Sequence, residues 1–161
     1  VAGNSGPPPQ FRKFDNFNDE AHYIARCIAK WHKQGKPLNN IAVIYGHHWQ
    51  AEGLQRALKA TGVPCAWLKT AADKKRYDAN ADCVALLTRQ SSKGLEFDTV
   101  VLAGLGGLKD DEEHLEHEVR LLYVGMTRAR ERLLLTGSGE NWFTCGLALV
   151  GDATRLGWVS R

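Results

Sequence analysis

Residues 83–103 read CVALLTRQSSKGLEFDTVVLA, and the two apolar runs at the ends of this stretch decide the fold. CVALLT and TVVLA are short and continuous, which is typical of strands that are covered on both faces. The sequence IAVIY at 41–45 is a third run of this kind. We predict further strands at 11–14, 63–67 and 133–136.

Amphipathic segments alternate with these strands. The spacing of apolar residues predicts helices over about 18–34 and 49–60, and a third helix after the acidic residues 110–113. Strands that alternate with helices form βαβ units, and their right-handed crossovers give a parallel sheet. The sequence therefore predicts an α/β three-layer sandwich, with a mostly parallel sheet and helices on both faces. The expected core face of the third helix consists of Leu115, Val119, Leu122 and Met126.

The remaining segments lack such a pattern. Residues 1–10 read VAGNSGPPPQ and are predicted to be a linker or disordered end. Residues 68–82 are polar and charged without a clear period, which predicts a loop, and a short helix is expected at 142–150. A chain of 161 residues suits one domain with a hydrophobic core, which we expect to span 11–161.

Composition excludes several classes of protein. Hydrophobic residues make up 43% of the chain and charged residues 24%, as in ordinary globular domains. The formal net charge of +3 neither requires nor excludes a nucleic-acid partner. The four cysteines form no CxxC pair, so we expect no metal site. Because the chain has no long apolar run and no signal-peptide pattern, we expect a cytoplasmic protein without membrane contacts.

The segment TRQSSKGLEF, which begins at Thr88, has side chains suited to a ligand. Ligands of open α/β sheets bind beyond the carboxyl ends of the strands, where this segment starts. Lys93 offers a cation, Gly94 allows close approach of the backbone, and Glu96 can accept hydrogen bonds from hydroxyls such as those of ribose. On composition alone, a surface loop with a solvated lysine and glutamate is the alternative.

The segment EVRLLYVGMTRARERLLL at 118–135 contains four arginines. We predict that the third helix ends in TRAR at 127–130, which would bring several guanidinium groups to one helix end. Arginine binds phosphate through two parallel hydrogen bonds, so this end suits a phosphate or a nucleic acid. A solvated face, with Arg130 and Glu131 in local ion pairs, explains the same residues equally well.

Together the two segments resemble motifs V and VI of UvrD/Rep-type superfamily 1 DNA helicases. The family patterns are close to T-x-H-x-x-K-G-L-E-F and E-x-R-L-x-Y-V-[AG]-x-T-R-A, and this chain contains SKGLEF and EVRLLYVGMTRA. IAVIY followed by Gln50 resembles motif IV of the same family. The resemblance extends over about 11–137 and implies the second RecA-like domain of an ATP-dependent DNA helicase or translocase.

The resemblance implies roles for four residues at an ATP site. Arg128 would be the arginine finger that stabilises charge developing on the γ-phosphate. Glu96 would bind the ribose and Tyr45 would lie against the adenine. Gly94 would shape the loop beside the nucleotide.

The resemblance also implies that three residues of motif V contact single-stranded DNA. Thr88 and Gln90 would face the strand. Lys93 would lie beside it, on the loop that joins the DNA and ATP sites.

Two sequence signals of such motors are absent. The chain has no G-x-x-x-x-G-K-[ST] phosphate loop and no DExx-type Mg²⁺ segment. The resemblance therefore implies that an N-terminal RecA-like domain of the same parent chain holds the ATP phosphates and Mg²⁺, and that this chain alone does not hydrolyse ATP. Only residues 68–82 lie where the family often inserts a large accessory domain, so we expect that insertion to be missing.

Three positions depart from the family patterns. Gly46 replaces the arginine that follows the motif IV tyrosine, which removes one expected γ-phosphate contact. Glu52 reverses the charge of a second motif IV arginine, and Gln90 replaces the motif V histidine.

Two other functions compete with the motor. A nucleotide-binding redox enzyme would use the glycines at 104–107, but Lys109 stands where its third glycine is needed and four acidic residues follow. A helicase-like binding or regulatory module without motor activity is favoured by the three departures. Arg128 and Glu96 oppose it, because a pure scaffold needs neither.

Overall fold

The computed structural model describes residues 7–155, with side chains as far as Leu149. Its strands are β1 (Gln10–Phe14), β2 (Ile41–Tyr45), β3 (Cys65–Trp67), β4 (Val84–Thr88), β5 (Phe97–Leu102) and β6 (Ala129–Ser138). Its α-helices are α1 (Phe17–Lys33), α2 (His48–Ala60), α3 (Ala71–Arg76), α4 (Leu115–Met126) and α5 (Trp142–Arg155). Short 3-10 turns lie at Leu38–Asn40 and Leu105–Gly107.

The six strands form one sheet in the order β1-β6-β5-β2-β4-β3, and every strand pair is parallel. The strand predicted at 41–45 is confirmed residue for residue as β2. Because the strands are parallel, all their carboxyl ends lie at one edge of the sheet and all their amino ends at the other. This places any residue that follows a strand at the first edge and any residue that precedes one at the second.

Helices cover both faces of the sheet. Alternate residues of β2 point in opposite directions: Val43 packs with α1 and α2, whereas Ile44 packs in a second cluster that includes Phe143 of α5 and, partly buried, Leu122 of α4. Two hydrophobic layers therefore enclose the sheet, which confirms the predicted α/β sandwich. Among the described residues, no helix is long and apolar enough to cross a bilayer.

Several predicted boundaries move. The predicted linker 1–10 overlaps β1 at Gln10, and residues 1–6 lie outside the described residues. The loop predicted at 68–82 contains α3, because Thr70 and Asp73 form a capping box at its start. The prediction that TRAR ends a helix is wrong: α4 ends at Met126, and Arg130 lies in β6.

The predicted core face of α4 is also wrong in part. Val119 is 41% exposed, and Leu115, Leu122 and Met126 are only partly buried. Gly125 is the residue of α4 that is fully buried, and a Cβ atom there would lie 2.6 Å from Leu102 Cδ2. The helix approaches the sheet closely only near its carboxyl end, so its apolar stripe is shared between the core and the surface.

Glu20 joins α1 to the sheet. This buried carboxylate accepts hydrogen bonds from the Gly104 amide and the Thr136 hydroxyl through its Oε2 atom, both at 2.7 Å. Its Oε1 atom has no partner among the described residues. Burial raises the pKa of Glu20 above its ordinary value, although the hydrogen bonds partly oppose this.

Glu20→Gln is expected to change the pH dependence of stability. Because the folded-state pKa is raised, the folded protein holds this proton more tightly than the unfolded chain, so Glu20 lowers stability as pH rises from about 4 through its folded pKa. Each unit of pKa shift corresponds to about 1.4 kcal/mol. Glutamine cannot ionise, so the variant should lack this loss. Urea unfolding of both proteins between about pH 4 and 8 tests it, and parallel stability curves would contradict it.

Candidate functional site

A cavity of about 250 Å³ lies at the carboxyl edge of the sheet, where β2 and β4 end side by side. Tyr45, the last residue of β2, pairs with Thr88, the last residue of β4. The first half of α4 and the segment before it form the opposite wall. The residues that line this carboxyl-edge cavity are Tyr45, Gly46, His47, Thr88, Arg89, Gln90, Lys109, His114, His117, Glu118 and Leu121.

The segment after β4 begins with a tight turn. The Thr88 hydroxyl donates to Ser91 Oγ at 3.0 Å and accepts from the Ser91 amide at 3.1 Å. Gln90, at the tip of this turn, is exposed. The structure therefore places Thr88 and Gln90 in one turn that lines the cavity.

Gln50 fixes the loop after β2. Its buried Oε1 accepts from the amides of Gly46 and His47, both at 3.1 Å, and its Nε2 donates to the Gly104 carbonyl at 3.2 Å. His47 Nε2 donates to the Gly107 carbonyl at 2.9 Å. These bonds hold the cavity wall formed by residues 46–47 against the segment after β5.

Arg89 is one of the cavity residues that were not predicted from the sequence. It is 7% exposed, and its Nη2 lies 3.5 Å from Glu118 Oε2, too far for a strong hydrogen bond. Its Nη1 has no partner among the described residues. Burial lowers the pKa of Arg89, and the Glu118 carboxylate partly opposes this. The available signal was its position directly after a buried strand.

The ring of Tyr45 does not offer a face to a ligand. The residue is completely buried, and its hydroxyl accepts a hydrogen bond from Trp67 Nε1 at 2.7 Å and lies 3.2 Å from His48 Nδ1. Its side chain points into the core layer that contains α1 and α2. The expectation that Tyr45 lies against adenine is therefore corrected: here it is a core residue.

Arg128 lies at the opposite, amino edge of the sheet, directly before β6. Its carbonyl accepts from the amide of Phe97, the first residue of β5, at 2.9 Å. Its half-buried guanidinium group donates to the carbonyls of Val124 and Leu95 at 3.2 and 3.3 Å, and to Thr127 Oγ1 at 3.2 Å. Among the side chains that the structure describes, those of residues 7–149, no carboxylate forms an ion pair with it.

Glu96 shares this amino edge with Arg128. It is exposed and follows Leu95, whose carbonyl accepts from the Arg128 side chain. Lys93 and Gly94 lie on the exposed segment that leads to it, and Gly94 has a φ of 83°, which a residue with a side chain rarely adopts. The structure thus brings Glu96 and Arg128 to one edge, with Gly94 close by in sequence.

The two edges are well separated. A parallel strand rises about 3.3 Å per residue, so the six residues of β5 span about 20 Å. Two segments connect the edges: residues 89–96 and helix α4, which carries Glu118 beside the cavity and ends at Met126, two residues before Arg128. The residues expected at ATP and at DNA therefore lie apart, and Tyr45 lies on the side expected for DNA.

One known protein family matches most of the chain, including both edges of the sheet. The family model described as the UvrD-like helicase C-terminal domain matches residues 2–72 and 68–140. The chain belongs to this family. The two matched stretches of the UvrD-like domain include both edges of the sheet, with Gly46 in the first stretch and Arg89, Glu96 and Arg128 in the second.

Named relatives of this UvrD-like domain are ATP-dependent DNA helicases. The helicase PcrA of Leuconostoc citreum is 40% identical over 73 residues, which is 41% of this chain and 10% of PcrA. The helicase Rep of Buchnera aphidicola subsp. Schizaphis graminum is 46% identical over 59 residues, which is 33% of this chain and 9% of Rep. The matched part is about a tenth of the length of each relative.

A solved structure shares the fold of this UvrD-like domain. It is the C-terminal domain of a possible DNA helicase from a Lactobacillus strain, WCFS1, with a TM-score of 0.65 and 25% sequence identity. The similarity covers 84% of this chain and 76% of that one.

Proposed function

We propose that this chain is the C-terminal motor domain of an ATP-dependent DNA helicase or translocase. The observation that carries the proposal is the division of the motif V and motif VI residues between two edges of one sheet, with α4 and residues 89–96 connecting them. A motor must relate nucleotide turnover to movement along a strand, and this layout gives each ligand its own edge.

The amino edge is proposed to close one wall of the ATP cleft. The exposed Glu96 carboxylate can accept hydrogen bonds from the ribose hydroxyls. The described hydrogen-bond partners of the Arg128 side chain are all neutral, and a phosphate is a stronger acceptor for a guanidinium group than a carbonyl is. We therefore propose Arg128 as the arginine finger and Gly94 as the turn that brings the loop to the nucleotide.

The ATP phosphates and Mg²⁺ are assigned to an N-terminal RecA-like domain of the same parent chain. Among the described residues, the group with metal-ligand spacing is Asp111, Glu113 and His114. It does not fit a nucleotide-bound Mg²⁺ ion, because it lies before α4, away from Arg128, and Asp111 is already hydrogen-bonded to His114 at 2.6 Å. The motor domain is proposed to span 11–161 without a large accessory insertion, since α3 occupies that place.

The carboxyl edge is proposed to form part of a single-stranded DNA track. Thr88 and Gln90 line the cavity, and Lys93 is exposed on the connecting segment. Hydroxyl, amide and ammonium groups are common donors to phosphate and sugar oxygens. The four cysteines are free, which suits a reducing compartment, and we place this DNA motor in the cytoplasm.

Binding to single-stranded DNA is expected to be weak and salt-sensitive. A domain with a net charge of +3 and part of a track neutralises few phosphates. With about three phosphates contacted, a fourfold rise in salt should weaken binding roughly twentyfold. Anisotropy titrations of a labelled oligothymidylate at low and moderate salt measure this. Tight binding that is independent of salt, or no binding at low salt, would argue against the DNA track.

A regulatory module without motor activity is the second candidate. The side chain of Arg128 bonds to its own helix and to the Leu95 carbonyl, as expected of a residue that only secures a helix end. The effect of replacing Arg128 on ATP turnover separates the two functions.

A further inference from the structure

We propose that Arg89 binds a phosphodiester oxygen of single-stranded DNA inside the carboxyl-edge cavity. This inference rests on the proposed DNA track and adds a phosphate-binding residue that the family resemblance does not assign. Three features of the cavity support it: an incompletely paired buried cation, an excess of positive charge, and space beside the guanidinium group.

The pairing of Arg89 is incomplete. A buried guanidinium group is costly unless acceptors replace the water it has lost. Arg89 is 7% exposed, its Nη1 has no partner among the described residues, and its contact with Glu118 is 3.5 Å long. A bound oxyanion beside Nη2, the guanidinium nitrogen nearest to Gly46, would supply a closer acceptor than Glu118 does.

The charges around Arg89 favour an anion. Lys109 also lines the cavity, as do three histidines, of which His114 is hydrogen-bonded to the Asp111 carboxylate. Glu118 is the one carboxylate among the lining residues, and its side chain is itself mostly buried. Phosphate therefore suits this cavity better than a cation or a neutral group.

Gly46 leaves space beside the guanidinium group. A Cβ atom at this position would lie 3.4 Å from Arg89 Nη2, so a side chain there would be in van der Waals contact with the guanidinium group. The backbone of Gly46 is not in the left-handed region, so a side chain would be allowed by its conformation. The glycine therefore leaves free the space next to Arg89 Nη2, in the cavity that Thr88 and Gln90 also line.

Glu118 competes with the ligand for Arg89. Its carboxylate attracts the guanidinium group and repels a phosphate, so removing its charge should have the opposite effect to removing the charge of Arg89. The pair Arg89→Gln and Glu118→Gln therefore makes a signed test, and each replacement keeps a polar side chain of similar length.

The experiment measures the affinity of the 161-residue chain for labelled oligothymidylate over a range of salt. Arg89→Gln should weaken binding about tenfold and lower the slope of log affinity against log salt by about 0.7, the value for one phosphate on a single strand. Glu118→Gln should tighten binding about threefold. Arg26→Gln, which removes the same charge from the exposed surface of α1, should leave the affinity within about twofold of the parent.

Each outcome decides between the two proposals. If the parent binds but Arg89→Gln keeps its affinity and slope, Arg89 is not a phosphate contact, and the DNA track stands without it. If the parent does not bind, the DNA track itself fails. Should Arg89→Gln unfold, an unchanged or weakened Glu118→Gln protein would overturn the inference. Inorganic phosphate can be added as a competitor. If phosphate binding requires Arg89 but Arg89→Gln leaves the affinity for oligothymidylate unchanged, the cavity binds free phosphate and not DNA.

Discussion

Replacing Arg128 by alanine in the helicase that contains this domain is expected to lower the saturated ATPase rate about 10³-fold or more. An arginine finger acts on charge that is greater in the transition state than in the ground state, so ATP binding should change little. Arg128 has no carboxylate partner within the described residues, which leaves its charge available to a phosphate. Steady-state ATPase and nucleotide-binding assays on one variant measure both quantities.

Two other variants make the Arg128 result specific. Arg130→Ala removes the same charge two residues away, where the side chain is paired with Asp98 on the surface, and should leave turnover near the parental rate. Glu96→Ala should weaken ATP binding with a smaller effect on the saturated rate, because ribose contacts are similar in both states. If Arg128→Ala melts at a lower temperature but hydrolyses ATP at the parental rate, Arg128 only secures the end of α4.

Among alanine replacements of the glycines at the carboxyl edge of the sheet, Gly106→Ala is expected to lower the free energy of unfolding most. An ideal Cβ atom at Gly106 would lie 1.7 Å from the carbonyl oxygen of Ser138, the last residue of β6. The Cβ position is fixed by the backbone of residue 106, and the carbonyl belongs to the backbone of Ser138. The two backbone segments must therefore move apart to remove the clash. A cost on the order of 3 kcal/mol, or a fall in Tm of roughly 10 °C, follows.

Gly146 provides the matched control for Gly106. It lies within α5, and a Cβ atom there would meet nothing within 4 Å. Alanine is favoured over glycine inside a helix, so Gly146→Ala should leave Tm unchanged or raise it slightly. Thermal unfolding followed by circular dichroism compares the two variants. Equal melting temperatures would show that residues 105–107 do not approach β6 as closely as described.

The sheet could be predicted from the sequence because strands buried on both faces need apolar side chains at every position. β2 is the clearest case, since all five of its residues are buried. The α3 helix was missed because short helices leave no apolar period, although Thr70 and Asp73 carried a capping signal. Val119 was misplaced because helical spacing identifies an apolar stripe without telling how much of it the core covers.

The site was less predictable than the fold. The family resemblance implied that Tyr45, Glu96 and Arg128 contact one nucleotide, but the parallel register places Tyr45 at the other edge of the sheet, and its ring is buried in the core. Arg89 was not among the predicted site residues. Its charged neighbour Glu118 lies in a distant segment of the sequence, and no local pattern records that contact.

The division of ligands between two edges can be measured most directly by mapping backbone amide shifts on the ¹⁵N-labelled chain as oligothymidylate is added. We predict that the amides of Gly46, His47, Arg89 and Gln90 shift with a common, salt-dependent affinity. The amides of residues 95–97 and 128–130, about 20 Å away along the sheet, should stay in place. Shifts centred on Glu96 and Arg128, with the carboxyl-edge cavity unaffected, would contradict the account.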